Sequence, residues 1–455
     1  MPTRPSDAQC RAGTAPGALP LLGHTLPLLR NPLQFLASLP TCGDLVRIRI
    51  GPVEAIVVCK PELIRQVLLN DRVFDKGGPL LDRGREMLGD GLATCPHSLH
   101  RRQRRLTQPA FHPTRLPGYA QMMTKHITDV TGSWQDGQVL DVLPEMMTLT
   151  TRTVVETMFS DALPPAVLGA VLDDFSAVLA RIYKRAFMPP ALDSLAIFGN
   201  RRYDRARLRL RQIIGRVVTE RRASRADRGD LLSILLAASD PTDGQGLSDA
   251  EIVDQVLTFF IAGSETTAGT LAWAVHLLAR HPDIERRLHA EVDAVLAGAA
   301  ASFEDLPKLE LTGRALTETL RLYPPIWIST RTTTTDTHLG GHPIPAGSIL
   351  AYSTYLLHHR PDLYPDPDRF DPDRWTGHTA QPPREALIPF GGGPRKCIGD
   401  TFAVTAATLA LATLAGRWRL RLLPGQHVHP ALVPLLHPRG LRMRATARTT
   451  RCPSR

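Results

Sequence analysis

The chain has 455 residues, 43% hydrophobic and 22% charged, as expected for a globular protein with a large buried core. Its formal net charge of +10 rests almost wholly on arginine, but the basic residues are dispersed and only 5% of the chain is aromatic. That disfavours nucleic acid as a partner and suits a basic patch that docks an acidic protein.

No apolar run reaches about 18 residues, so no transmembrane anchor is expected. Met1 to Leu29 lacks the continuous apolar core of a signal peptide, and the expected location is the cytoplasm. The six cysteines are scattered without C-x-x-C spacing, which argues against zinc and against a disulfide framework.

In chain order, residues 1–15 and 446–455 are polar and aperiodic and read as disordered tails around one domain, 16–445. Asp44 to Cys59 alternates and then runs β-branched around Gly51-Pro52, which predicts a β-hairpin, and Pro61 to Leu69 predicts a short helix. Phe74 to Leu92, glycine-rich and mixed in polarity, reads as an irregular loop with one helical turn. Helices are then predicted over 98–110, 116–131, 142–159, 165–184, 201–223, 229–238, 248–280, 283–297 and 312–322, with Pro189-Pro190 interrupting the run. Short strands and turns follow Pro324, then a helix from Thr401 to Ala415, then two or three small strands from Trp418 to Ala445. The fold class is mainly α with small β-sheets, and no linker divides it.

The chemistry concentrates around Cys397. Phe390, Gly393, Arg395, Cys397 and Gly399 form the pattern F-x-x-G-x-R-x-C-x-G just before the predicted helix. Unpaired N–H groups and the dipole at a helix N-terminus favour a thiolate over a thiol. A lone cysteine before a helix is more often a small buried hydrophobe, but five fixed positions within ten residues set this one apart. The pattern resembles the haem-binding loop of the cytochrome P-450 family.

Other segments resemble the same family in the same order. The longest predicted helix opens on Ser248-x-x-Glu251, a capping box. Its apolar middle holds Ala262-Gly-Ser-Glu265-Thr266-Thr267, where a glycine and a buried acid are both costly. A glycine there lets something approach the backbone, and Thr266 is placed to bond a carbonyl one turn back. The stretch resembles the family's A-G-x-[DE]-T-T oxygen groove, which implies that Thr266 bonds dioxygen and Glu265 relays protons to it. Glu318-Thr-Leu-Arg321 would alone be a surface pair. With Phe370-Asp-Pro-Asp-Arg374-Trp375 downstream it resembles the family's buried brace of Glu318, Arg321 and Arg374.

His100-Arg-Arg-Gln-Arg104-Arg105 reads first as a solvated basic face. It also matches the family's [WH]-x-x-x-R element, which makes His100 and Arg104 donors to the haem propionates. Arg331 aligns with a further propionate-binding arginine, while Arg102, Arg105 and Lys396 are candidates for docking an acidic redox protein.

The resemblance spans about Pro16 to Ala445. It implies a single-domain cytochrome P-450 fold, with haem b between the long central helix and the cysteine-loop helix and Cys397 as axial ligand. It also implies a monomer that takes O2 as co-substrate. Electrons would come from NADPH or NADH through ferredoxin reductase and ferredoxin, since no further domain fits in this length. Pocket segments map to Leu80–Leu92, Phe187–Phe198, Phe259–Ala262, Ile326–Thr330 and Leu432–Leu436, with Phe259, Phe260, Ala262, Ile326, Trp327 and Leu435 as lining candidates. The last three segments are nearly all apolar, which favours a hydrophobic, weakly functionalised substrate. A composition with only six lysines resembles proteins of high-G+C bacteria, whose related members often oxidise terpenoids in specialised metabolism. Oxidation of a sesquiterpene-like hydrocarbon is therefore the expectation, with fatty-acid or other lipid or polyketide hydroxylation as the alternative. A haem sensor or a peroxygenase would not need the pair Glu265–Thr266.

Overall fold

A 32-residue helix, Asp249–Arg280, runs through the larger part of the protein. Ser248 Oγ accepts from the Glu251 N–H at 3.2 Å and Glu251 Oε2 accepts from the Ser248 N–H at 2.9 Å, so the predicted capping box starts it. At about 1.5 Å per residue it is about 48 Å long. It is buried on nearly all sides from Ile252 to Leu278, which is why its sequence is apolar all round rather than striped. The computed structural model describes residues 10–160, 200–377, 382–433 and 435–448, together with 167, 169–171, 173–175, 177 and 178. The predicted helix 165–184 falls mostly outside the described residues, and the Pro189-Pro190 loop and the pocket segment 187–198 fall wholly outside them.

The chain divides into two compact units. The larger comprises 82–325, 370–381 and 398–455 and holds the long helix. One apolar cluster there joins Leu116–Gly132, the C-terminal half of the long helix, Pro282–Leu296, Glu310–Leu322 and Asp400–Arg417 through residues such as Met123, Leu271, Leu288, Leu316 and Leu409. A second joins the N-terminal half of the long helix to Val142–Phe159, Asn200–Ser224 and Leu231–Ala237. The sheet Trp418–Leu422, Arg442–Ala447 and Val139–Asp141 is antiparallel, and the hairpin His429–Val433 with Leu435–Arg439 pairs Ala431 with His437.

The smaller unit comprises 1–81, 326–369 and 382–397. Its six-stranded sheet runs Ala12–Thr14, Leu45–Ile50, Val53–Val58, Ile349–Tyr352, Ser329–Thr333, Phe74–Asp75. The helix Pro61–Leu69 packs Leu63, Ile64, Val67 and Leu68 into its core with Leu45, Val58, Leu350 and Ile388.

Several elements differ from expectation. Ala12–Thr14, inside the expected N-terminal tail, pairs in parallel with Leu45, Val46 and Arg47, and the last strand runs to Ala447. Pro79–Leu88, read as loop, is a helix with Pro79 and Asp82 in its first turn and Met87 buried, so the apolar side outweighs the glycine at 84. Ser353 caps an unexpected short helix, Thr354–His358, and four strands rather than two or three follow the last helix. Among the described residues no helix is long and apolar enough to cross a membrane.

Candidate active site

The cysteine loop lies in the smaller unit. A 3-10 turn, Gly393–Arg395, leads to Cys397, whose N–H donates to the Phe390 carbonyl at 2.9 Å. Gly399 is the N-cap of the helix Asp400–Arg417, so Cys397 stands three residues ahead of it with an exposed side chain. Gly393 has φ +64°, and a Cβ on it would lie 2.0 Å from the Leu68 carbonyl oxygen, so only glycine permits the turn.

Arg395 is buried, with Nε 3.0 Å from Asp71 Oδ2 and one terminal nitrogen 2.6 Å from Asp75 Oδ1. A buried guanidinium needs nearby anions, and two carboxylates of the chain supply them. Here it fastens the loop to the stretch that carries Asp71 and Asp75.

Arg331, in the same unit, is buried on the strand Ser329–Thr333. It donates to the Thr330 carbonyl at 2.8 Å and to the Tyr352 hydroxyl at 3.3 Å, and its guanidinium carbon lies 5.5 Å from the Tyr352 ring centre. All these partners are neutral, so a buried cation stands ready for an anion. Ile326 is exposed, while Trp327 is buried with an indole N–H that lacks an acceptor.

The larger unit carries the groove motif. Thr266 Oγ1 donates to the Ala262 carbonyl at 2.6 Å, and Thr150 Oγ1 donates to the Ser264 carbonyl at 2.8 Å. Ala262 is exposed and Ile261, Gly263 and Thr266 are half-buried, whereas Glu265 is buried. What approaches Gly263 is Val154: a Cβ would lie 2.9 Å from its Cγ2. Phe259 is buried edge-on to Phe111, with ring centres 5.1 Å apart. Phe260 stacks edge-on against Phe175 and lines a closed apolar cavity with Phe159, Leu210, Ile213 and Val256. Its side chain belongs to the apolar cluster of the neighbouring helices.

Glu318 and Arg321 are fully buried. Arg321 donates to Glu318 Oε2 at 2.9 Å and to Oε1 at 2.8 Å, a two-pronged fork. Arg374 Nε approaches Oε1 at 3.5 Å, so the structure brings the three brace residues together. The same carboxylate also accepts from Trp375 Nε1 at 2.9 Å and from the Asp371 N–H at 3.2 Å. Sequence reasoning missed these two donors, although Trp375 adjoins Arg374 in the quoted motif.

His100 is buried and Arg104 half-buried one turn apart on the helix His97–Thr107, with Arg104 Nε 3.1 Å from Gln108 Oε1. Arg102 is paired with Glu251 and Arg105 with Asp240, each at 2.8 Å. Leu435 is buried on the terminal hairpin beside His437, a residue with no motif to announce it. His437 Nε2 lies 3.7 Å from Glu265 Oε1, and burial pushes its imidazole down to about 4.

These residues suit haem. The donor set offers one exposed thiol in a glycine-shaped loop, a buried cation with only neutral partners, and an alcohol beside a buried acid. Such a helical protein falls in the haem-thiolate class. The cytochrome P450 family model matches residues 14–443, and the chain belongs to that family.

It is 51% identical to the cyclooctat-9-en-7-ol 5-monooxygenase of Streptomyces melanosporofaciens over 92% of each chain. It is 48% identical to the pentalenene oxygenase of Streptomyces avermitilis over 96% of this chain and 98% of that one. It is also 47% identical to the cyclooctatin synthase of S. melanosporofaciens over 94% of each. Among solved structures, the haem domain of cytochrome P450DA superposes with a TM-score of 0.87 at 28% identity, covering 97% of this chain and 99% of that one. The protein is thus a cytochrome P450 monooxygenase, which uses haem, O2 and electrons from a reductant.

Proposed function

We propose that this monooxygenase hydroxylates a terpene hydrocarbon of sesquiterpene-like size in specialised metabolite biosynthesis. The observation that carries the substrate class is nearly full-length similarity, at 47–51% identity, to three proteins of terpene oxidation. The apolar character of the candidate lining residues Ala262, Ile326, Trp327 and Leu435 supports it.

Residues 16–445 act as one catalytic domain and the protein works as a monomer. Cys397 would supply the thiolate that holds haem b, in the loop that carries Phe390 and Gly399, with Arg395 holding that loop through Asp71 and Asp75. His100, Arg104 and Arg331 would hold the propionates, with Arg331 the most completely prepared because its protein partners are uncharged. Glu318, Arg321 and Arg374 form a buried charged network that ties the helix Glu310–Leu322 to the turn Pro372–Trp375. When bound, thiolate-ligated haem supplies the activation of O2, so that R–H, O2, two electrons and two protons become R–OH and water.

The chain's own task is to manage protons and exclude water. Thr266 Oγ1 now points its hydrogen at the Ala262 carbonyl, which leaves its lone pairs outward to accept a proton-bearing water or, after rotation, its hydrogen to donate. Glu265, one residue back and buried, delivers protons to that hydroxyl. NADPH or NADH feeds electrons through a ferredoxin reductase and a ferredoxin.

The test is a titration of the haem-loaded enzyme with pentalenene, other sesquiterpene and diterpene hydrocarbons, and long-chain fatty acids. A high-spin shift and a reductant-dependent hydroxylated product are expected with terpenes. A response confined to fatty acids would move the enzyme to the lipid class.

A further inference from the structure

The terminal hairpin places a histidine against the acid of the long helix. His437 Nε2 lies 3.7 Å from Glu265 Oε1, with side-chain exposures of 14% and 6%. That separation is just beyond a hydrogen bond, and a few tenths of an ångström close it. Nε2 is buried and makes no hydrogen bond among the described residues, so bonding to the carboxyl would satisfy it.

The seat for this ring is built into the helix. A Cβ on Gly269 would lie 2.8 Å from His437 Cδ2 and 3.4 Å from Nε2. Glycine inside a helix costs about 1 kcal/mol relative to alanine, and here the missing methyl is the space the imidazole fills.

One turn further, Trp273 Nε1 donates to the Leu436 carbonyl at 3.0 Å and its ring stacks on Tyr323 at 3.7 Å. The Leu436 N–H in turn donates to the Pro325 carbonyl at 3.0 Å. Residues 265, 269 and 273 thus form one stripe of the long helix, spaced by four, that grips a single strand. The strand is held beside His437: Leu436 is locked by two hydrogen bonds, and Leu435, two residues away, shares the histidine's face by strand alternation.

We propose that His437 is the positioning residue for Glu265: its Nε2–H donates to Oε1 and fixes the carboxyl's orientation beside Thr266. The proposal rests on the reading of Glu265 as the proton-delivering acid. Burial keeps the imidazole near 4, hence neutral at neutral pH, so it orients the carboxylate without cancelling its charge. With the orientation fixed, the same oxygen is presented to the Thr266 side in every turnover.

The test uses carbon monoxide as a probe of the groove, which needs no substrate. The C–O stretching band of the reduced carbon monoxide complex is recorded for the wild type, Glu265→Gln, His437→Phe, His437→Gln, Gly269→Ala and the double variant Glu265→Gln/His437→Phe. Expected is a single band for the wild type and His437→Gln, a shifted or split band for His437→Phe and Gly269→Ala, and no further change when His437→Phe is added to Glu265→Gln. Thermal and denaturant unfolding of the same holoenzymes should give a non-additivity of about fivefold in the unfolding constant between positions 265 and 437.

An unmoved band in His437→Phe and Gly269→Ala, with Glu265→Gln shifted, overturns the proposal and leaves the Glu265 reading intact. An unmoved band in Glu265→Gln overturns both. Strictly additive unfolding also overturns the proposal. Should His437→Phe fail to fold, Gly269→Ala displaces the ring without removing it and decides the matter.

Discussion

The Glu318–Arg321 fork makes a quantitative prediction. Both side chains are fully buried, and one carboxylate receives Arg321 twice, Arg374, Trp375 Nε1 and the Asp371 N–H. Glu318→Gln keeps the shape but turns an NH2 group towards donors on one side and removes the negative charge from a site that buries a guanidinium. Removing one partner of a buried pair costs about 3–5 kcal/mol. Unfolding entropy grows by about 2.1 cal/mol/K per residue, so at this chain length each kcal/mol moves Tm by only about 1 °C, and Tm should fall by roughly 3–5 °C.

Arg321→Met should do similar damage, because it strands the carboxylate. Glu318→Leu/Arg321→Met removes both charges at once and should be no worse than the worse single variant, with the residual loss coming from Trp375 and Asp371 left without their acceptor, about 1–3 kcal/mol each. The assay is thermal unfolding followed by circular dichroism, with the Soret band recorded to verify haem content. If the double variant loses the sum of the two singles, the charges act independently and the brace as described is wrong.

Other expectations concern the cysteine loop, the groove and buried histidines. Cys397→Ala should abolish the thiolate-type Soret band of the reduced carbon monoxide complex, and an unaltered band would remove Cys397 as ligand. Thr266→Ala should release several-fold more reductant as peroxide or water per product, measured as NAD(P)H consumed against product formed; unchanged coupling sinks its role. Gly393→Ala meets a backbone oxygen at 2.0 Å as well as a positive φ, and should strip haem or prevent folding, read from the haem-to-protein absorbance ratio.

His276 is buried with an unsatisfied Nδ1, and burial, helped by nearby Arg280 and His281, pushes it down to about 4. Because the unfolded chain takes up this proton near pH 6.5, its contribution to stability is complete above that pH and is lost as pH falls towards about 4. His276→Leu should therefore flatten the curve of unfolding free energy against pH between pH 6.5 and 5 by up to about 1.4 kcal/mol per pH unit, and parallel curves would refute the assignment.

What could be read in advance depended on how local its cause is. The long helix was legible to within a residue because Ser248, Glu251 and Pro282 act within one turn of its ends. Three residues of helix put Glu318 and Arg321 on one side, but spacing alone reads as a surface pair, and only the family resemblance pointed to their burial. Pro79–Leu88 was misread because a glycine and mixed polarity obscure a helix whose stability comes from burying Met87.

The glycines show the boundary of local reasoning most sharply. Sequence announced that something approaches Gly263, and the something is Val154, more than a hundred residues away in the chain. Gly269 carried no signal at all, since its reason is His437, 168 positions further on and visible only once the hairpin is laid against the helix. Arg395 illustrates the opposite case. It stands in the quoted motif, but its partners Asp71 and Asp75 belong to no motif, so the pattern names the charge and not the carboxylates that pair with it. A family pattern records which side chains chemistry requires at a site, whereas the residues that support those side chains are fixed by tertiary packing and can only be found in three dimensions.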